Sequence, residues 1–337
     1  MHQLPKITFS ICIPTYNSEK TLRYTLKSIS SQEYSRNDLE IMIIDGGSTD
    51  KTLKIVDEFK RLNIKVYDNP KRLPEYAKLI GIQKAEGKYI IFMDSDESFA
   101  SKTALVSRRN AFTCHPEAHV LLADKLHYVK GYGVAGYYLN KCGDPFTYFM
   151  YRQKDGVIET FRKNAVKCEG KWYLLSFGEN DKMPIADGGT TTVDLDYVKE
   201  KWAGELDNVD LACAIANRVL VVTKECICIK GDDVYHRSRS QLKTYLRKIK
   251  FRVVNNIFAP SESGFSTRKI SCSKKKYLFP FYTASIVLPV IDGIRLWAKH
   301  KKISMMLHPL YCWYTTIQIC KYMFLKALKH SEKNTQY

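Results

Sequence analysis

Residues 89–97, Tyr-Ile-Ile-Phe-Met-Asp-Ser-Asp-Glu (YIIFMDSDE), decide the architecture. Tyr89–Met93 is a short apolar run of the kind that forms a buried strand, and it stops abruptly at Asp94-Ser95-Asp96. Upstream, Gly87 ends a helical pattern over about Glu75–Glu86, and Ile64–Tyr67 before it reads as another strand. Glu40–Ile44 (EIMII) is a further apolar strand running into the turn Asp45-Gly46-Gly47-Ser48, after which Leu53, Val56, Phe59 and Leu62 recur at helical spacing. The first strand, Ile7–Ile13 (ITFSICI), is expected to be stopped by Pro14. Ser18 then opens a helix with Leu22, Leu26 and Ile29 on one face. Strand and helix alternate through short turns, which predicts an α/β fold with a mostly parallel central sheet and helices on both faces. Such sheets bind ligands beyond the carboxyl ends of their strands. Three polar clusters fall there: Thr15-Tyr16-Asn17, Asp45-Gly46-Gly47-Ser48 and Asp94-Ser95-Asp96.

Each cluster has a chemistry and a plainer alternative. Asp94 and Asp96, at i and i+2 after a buried strand, can reach one divalent cation; hard oxygen donors suit Mg²⁺ or Mn²⁺, which neutralises a diphosphate leaving group. The alternative is a solvated acidic turn. Tyr16 offers a flat ring for a nucleobase next to Pro14, whereas Pro14–Ser18 is otherwise a turn and helix cap. In Asp45–Asp50 (DGGSTD) the glycines allow close backbone approach, and Asp45 can accept from a base or ribose hydroxyl. The same loop can cap the next helix, and the two readings are compatible.

In this order and spacing PTYNSEKTLRYTLKSISSQ, IMIIDGGSTDKT and GIQKAEGKYIIFMDSDE resemble the family 2 glycosyltransferases of GT-A fold, over about residues 7–100 and less closely over 180–250. The resemblance implies inverting transfer from a nucleotide-activated sugar, with UDP- or GDP-sugars as donors. It places Asp94 and Asp96 at the metal and diphosphate and Ser95 beside them. It also puts Pro14, Thr15, Tyr16, Asn17 and Asp45 at the nucleoside. Lys78 stands where relatives often carry an Arg facing the diphosphate. Two departures are visible: Gly46 follows Asp45 where many relatives have a second acid, and the metal motif ends in Glu97.

Asp187, Gly188 and Gly189 resemble the family's acceptor segment. The stretch 206–211, Leu-Asp-Asn-Val-Asp-Leu, stands where relatives carry an acidic pair that supplies the catalytic base. Asn208 cannot be a base, which leaves Asp207 and Asp210; either can instead be an acid complementing a helix N-terminus. His236, after an expected apolar strand VLVV…CICI, matches a His that relatives place near the metal, and otherwise caps or packs at a strand end.

The net charge of +18 is localised: residues 237–337 carry 20 Lys/Arg against 3 Asp/Glu, and residues 1–236 carry 33 against 32. Residues 1–240 are therefore expected to be the transferase domain and 241–337 a basic, aromatic-rich helical extension. Residues 242–253 read as a basic amphipathic helix. Tyr277–Ile291 and Met305–Cys320 are uncharged runs of 15 and 16 residues, short of the about 20 a span needs. Spanning both would put Lys299–Lys302 on the far side, against the positive-inside tendency. Interfacial helices or a shallow re-entrant hairpin on an anionic membrane fit better, with two buried helices as the plain alternative. The aromatic runs are not interleaved with Lys/Arg, which argues against nucleic acid. Met1–Lys6 has no signal-peptide pattern, and the 10 Cys form no CxxC pair, so the cytoplasmic face is the expected side. A sugar nucleotidyltransferase is disfavoured, because PTYNS lacks its Gly- and Arg-rich loop. The remaining alternative is a catalytically impaired GT-A-like module that binds nucleotide or membrane. The acceptor is expected to be lipid-linked or membrane-proximal.

Overall fold

A computed structural model describes residues 7–184, 189–238, 241–258 and 274–328, the side chains of Glu169, Asp210, Cys213, Asn255 and Asn256 excepted. The chain divides into two compact units, Met1–His127 with Phe161–His236, and Tyr128–Thr160 with Arg237–Tyr337. The second unit thus combines the basic C-terminal region with a segment from the middle of the sequence.

The strands are β1 (Phe9–Thr15), β2 (Leu39–Asp45), β3 (Ile64–Asp68), β4 (Tyr89–Phe92), β5 (Glu97–Phe99), β6 (Val120–Leu122), β7 (Leu126–Tyr128), β8 (Ala165–Glu169), β9 (Trp172–Ser176), β10 (Thr191–Asp194), β11 (Glu225–Ile229) and β12 (Val234–His236). Nine of them form one sheet in the order β3-β2-β1-β4-β10-β6-β11-β9-β8, and β5-β12-β7 form a second. β3, β2, β1 and β4 are mutually parallel, as are β6 and β11; β10 runs antiparallel to β4 and β6, and β9 to β11 and β8. β2 and β4 are buried along their whole length, which is why Ile41–Ile44 and Tyr89–Phe92 read as continuous apolar runs rather than alternating ones.

β1 runs two residues further than expected, through Pro14. Cys12 bonds towards β4, accepting from Met93 N, and Thr15 bonds towards β2, accepting from Gly46 N. Pro14 shares the parity of Cys12, but pairing with β4 ends at Cys12–Phe92, so its missing N–H falls just beyond the last ladder pair on that side. The helix Pro74–Lys84 packs on β1 through Gly81, where a Cβ would stand 2.6 Å from Cys12 Sγ. Gly87 brings the chain back beneath β1, where a Cβ would lie 2.7 Å from the Ser10 backbone nitrogen. The run Val219–Val222 is not strand but the end of the helix Ile215–Thr223; only Glu225–Ile229 pairs. A four-residue apolar run carries no periodicity that separates the two.

The second unit is helical: Ala135–Cys142, Pro145–Tyr151, Leu242–Phe258, Phe279–Ala284, Val287–His300 and His308–Ala327. Its core gathers Tyr138, Tyr148, Tyr245, Ile249, Leu296, Tyr311 and Tyr322. His308 is buried within it, with Tyr138 Oη 2.7 Å from Nδ1 and Tyr282 Oη 3.0 Å from Nε2. Tyr282 donates to Asp292 at 2.9 Å, and Arg152 donates to the same carboxylate at 2.6 Å. A neutral, Nε2-protonated imidazole satisfies this chain, and burial pushes the His308 pKa down to about 4.

Candidate active site

Parallel registry brings the first two clusters together. Thr15 pairs with Asp45 across β1 and β2, and its hydroxyl donates to Asp45 Oδ1 at 3.1 Å. Asp45 is buried, and its other oxygen accepts from Gly47 N at 3.0 Å and Ser48 N at 2.8 Å. The carboxylate therefore folds the DGGS turn, the plainer of the two readings its sequence allowed. Gly47, at φ 79°, is where that turn needs a residue without a Cβ. Asn17, at φ 48°, clasps the same loop: its Oδ1 accepts from Thr49 N at 2.9 Å, and its own N–H donates to Ser48 Oγ at 2.9 Å.

The third cluster is joined through the next residue, since Ser18 Oγ lies 2.8 Å from Ser95 Oγ. Asp94 is exposed, whereas Ser95 and Asp96 are half-buried. His236 approaches from β12, with Nε2 3.6 Å from Asp96 Oδ2. Burial alone would lower the His236 pKa, but Asp96, Glu97 and Asp94 outweigh it and drive it upward. Lys78 is half-buried on the helix Pro74–Lys84, with Nζ 5.7 Å from the Phe92 ring centroid at the end of β4. It also acts electrostatically on Cys12, as does Asp94.

Glu97 is the residue that sequence reading undervalued, having been noted only as a departure. It is buried, pairs in register with His236, and spreads its carboxylate over three backbone N–H groups: Gly189 at 3.0 Å, Thr190 at 3.2 Å and Asp94 at 3.1 Å. Burial, then the neighbouring Asp94, raises its pKa. The expected acceptor segment is thereby tied at Gly189 to the turn that carries Asp94 and Asp96. Asp187 and Gly188 lie outside the described residues. Thr190 is held from the other side by the fully buried Arg108, which donates to its carbonyl at 2.5 Å and its hydroxyl at 2.7 Å. Arg108 also reaches Thr192 Oγ1 at 2.9 Å and pairs with buried Asp232 at 2.8 Å.

Arg72 was also missed. It lies in the loop after β3 at φ 55°, and its guanidinium sits 5.4 Å from the centroid of the exposed Tyr16 ring. The only signal in the sequence was a basic residue in a loop beyond a strand end.

Asp207 is exposed and takes a 2.8 Å hydrogen bond from Gln83 Nε2. Gln83 stands in the last turn of the helix Pro74–Lys84, about 7.5 Å along the axis beyond Lys78 and further from the strand carboxyl ends. Asp207 is thus not among the groups gathered around Asp96. Asp210 belongs to the helix Val209–Cys213, but its side chain lies outside the described set.

Asp94, Asp96 and His236 supply hard oxygens and a borderline nitrogen, a donor set that suits Mn²⁺ or Mg²⁺. Two of the three already meet, and Asp94 lies within electrostatic reach of both His236 and Glu97. Among the described residues no three such side chains converge to metal-binding geometry.

Residues 10–108 match the model of glycosyl transferase family 2. A poly(ribitol-phosphate) β-N-acetylglucosaminyltransferase of Staphylococcus aureus, TarS, is 34% identical over 129 residues, 37% of this chain and 22% of that protein. A GalNAc(5)-diNAcBac-PP-undecaprenol β-1,3-glucosyltransferase of Campylobacter jejuni is 29% identical over 125 residues, 35% of this chain and 39% of that one. The match therefore spans well under two thirds of these relatives' lengths. In three dimensions the chain is similar to residues 1–349 of TarS with UDP, at TM-score 0.51 and 17% identity over 97% of this chain and 93% of that one. It is also similar to a mannosyltransferase of Pyrobaculum calidifontis with GDP-mannose and Mn²⁺, at TM-score 0.55 and 14% identity over 94% and 87%.

Proposed function

We propose that the chain, whose residues 10–108 match the model of glycosyl transferase family 2 and which has the GT-A fold, is a member of that family and transfers a sugar, with inversion, from a UDP- or GDP-sugar to a hydroxyl or phosphate of a lipid-linked or membrane-proximal acceptor. One observation carries this reading: Asp94 and Asp96 leave the carboxyl end of β4 between the Thr15–Asp45 pair on one side and His236 on the other. A nucleoside fits on the first side, with Tyr16 as a stacking surface and Pro14, Asn17 and Asp45 shaping its wall. Lys78 faces the phosphates as a fixed positive charge. Asp94, Asp96 and His236 would hold Mn²⁺ or Mg²⁺, whose charge lowers the cost of releasing a nucleoside diphosphate. Glu97 orients that turn and carries the acceptor segment at Gly189, with Asp187 and Gly188 next to it in sequence.

The base is assigned to Asp207 or Asp210, at the start of the helix Val209–Cys213. Asp207 has to leave Gln83 to take the acceptor proton. A module that binds donor without turning it over is the second reading, and Asn208 together with the Gln83–Asp207 bond favours it. The relatives that act on poly(ribitol-phosphate) and undecaprenol-linked glycans support a membrane-bound acceptor, and the basic helical unit supports work on the cytoplasmic face of an anionic membrane. No single described helix is long and apolar enough to cross one.

Thermal shifts with UDP, GDP and their sugars, with Mn²⁺ or EDTA, test the donor site. Asp94→Asn with Asp96→Asn should erase the metal-dependent shift; an unchanged shift in EDTA refutes the site. Asp207→Asn should abolish transfer and spare donor binding. Full transfer by that variant moves the base to Asp210, and donor binding without transfer by the wild type selects the second reading.

A further inference from the structure

The helices Phe279–Ala284 and Val287–His300, with the 3₁₀ turn Lys274–Leu278 ahead of them, form a pair bent by 93°. The bend is made at Ile286, whose φ of 58° and ψ of −51° close a tight turn in which Val287 N donates to Ser285 O at 2.5 Å. This is the strained, positive-φ form of the γ-turn, an uncommon place for a β-branched residue. The residues around it are apolar yet open: Phe281 is 74% exposed, Ile286 62% and Val287 61%.

The helix Val287–His300 is apolar on two sides. Pro289, Gly293 and Leu296 are buried in the unit, while Leu288, Ile291, Ile294 and Trp297 form an outward stripe. Arg295 interrupts that outer face as an exposed cation, but a stripe of four large apolar side chains left uncovered by the unit calls for an apolar medium.

The order of residues along the two arms identifies that medium. Outward from Ile286, one arm passes Phe281 and reaches Tyr277, then Lys276, Lys275 and Lys274. The other passes Leu288, Ile291 and Ile294 and reaches Trp297, then Lys299, Lys301 and Lys302. Arg295 apart, which lies one turn or less from Trp297 and has the length to snorkel to the headgroups, both arms read apolar, then amphipathic aromatic, then cationic, which is the depth profile of one bilayer leaflet. From Val287 to Trp297 the helix rises about 15 Å, half of a hydrocarbon layer of about 30 Å. Over residues 274–328 there are nine Lys/Arg and one acid, Asp292, which is buried and paired with Arg152. Because the bend returns the chain, both Lys clusters stay on the same side, and the positive-inside conflict of two full spans disappears.

We infer that this bent pair is a monotopic anchor: the Phe281–Ile286–Val287 tip enters one leaflet of an anionic phospholipid bilayer, Tyr277 and Trp297 sit at headgroup level, and the two Lys clusters hold the lipid phosphates. The inference rests on the membrane location proposed above and names the element that makes the contact.

The test is flotation of the full chain with phosphatidylcholine vesicles and with phosphatidylcholine/phosphatidylglycerol vesicles, at low and high salt. The variant is Phe281→Glu/Ile286→Glu/Val287→Glu, with its melting temperature and UDP or GDP binding measured alongside. The expected result is salt-sensitive flotation with the anionic vesicles, cut about tenfold or more in the variant, while the melt and nucleotide binding stay unchanged. Equal flotation of the variant overturns the anchor and leaves the membrane location standing. No flotation of the wild type overturns both. Equal flotation with neutral vesicles overturns the anionic preference. A wild-type dimer that the variant breaks, with flotation unaffected, assigns the face to a second copy of the chain and also overturns the anchor.

Discussion

Replacing Arg108 with Leu removes the cation from beneath the candidate acceptor segment. Arg108 is fully buried, and its guanidinium serves the Asp232 carboxylate, the Thr190 carbonyl and hydroxyl, and Thr192 Oγ1. Asp232 is itself buried, one of its oxygens has no hydrogen-bond partner, and burial already raises its pKa against the pull of Arg108. Leu leaves a carboxyl group and a backbone carbonyl unmet in the interior. Breaking a buried pair from one side costs about 3–5 kcal/mol. For a unit of this size that corresponds to a melting point lower by about 10 °C. Arg108→Leu/Asp232→Leu removes the stranded acid too and should recover a large part of the loss, because apolar replacement of both partners is often close to neutral. Differential scanning fluorimetry of the wild type, both single variants and the double variant completes the cycle. A shift below about 2 °C for Arg108→Leu, or a double variant less stable than either single one, refutes the account of Arg108 as the prop of Thr190.

Three further outcomes are expected. His308 has a folded-state pKa depressed to about 4, so its contribution is complete above the unfolded value near 6.5 and lost as pH falls towards 4. The loss is about 3 kcal/mol, and urea titrations should show a steeper acid decline in the wild type than in His308→Gln. Gly87→Ala forces a Cβ to within 2.7 Å of the Ser10 backbone nitrogen, where no side chain can yield, and should cost about 2 kcal/mol or more in urea unfolding. Arg72→Ala removes the cation from the Tyr16 ring; steady-state transfer assays should show KM for the nucleotide-sugar raised about two- to fivefold, with kcat little changed.

The front half of the fold was legible because β2 and β4 are buried on both faces. EIMII and YIIFM can hardly be anything else when Gly and Pro punctuate them at this spacing. Strand-end clusters follow from parallel registry, so Thr15 and Asp45 were readable as neighbours and Asp94 as lying at the same edge of the sheet. Pro14 misled by one parity: whether a proline ends a strand depends on which neighbour its nitrogen would face. Val219–Val222 misled because four apolar residues fit helix and strand alike. Glu97 and Arg108 were not legible as supports of the site, since their partners are backbone groups and residues far along the chain, which no local pattern encodes. Tyr128–Thr160 gave no sign of joining the C-terminal helices, because its aromatic residues fit either unit.

The divided origin of the helical unit has a consequence during synthesis. Tyr138 meets His308 across 170 residues of chain. At about 5–20 residues per second the earlier segment waits roughly 10–30 s for the helix that covers it. For that interval Tyr138, Tyr148 and Phe149 lack the helices that bury them. A clone shortened at residue 240 makes the wait permanent, so the first unit is better isolated by bridging His127 to Phe161 than by trimming the end.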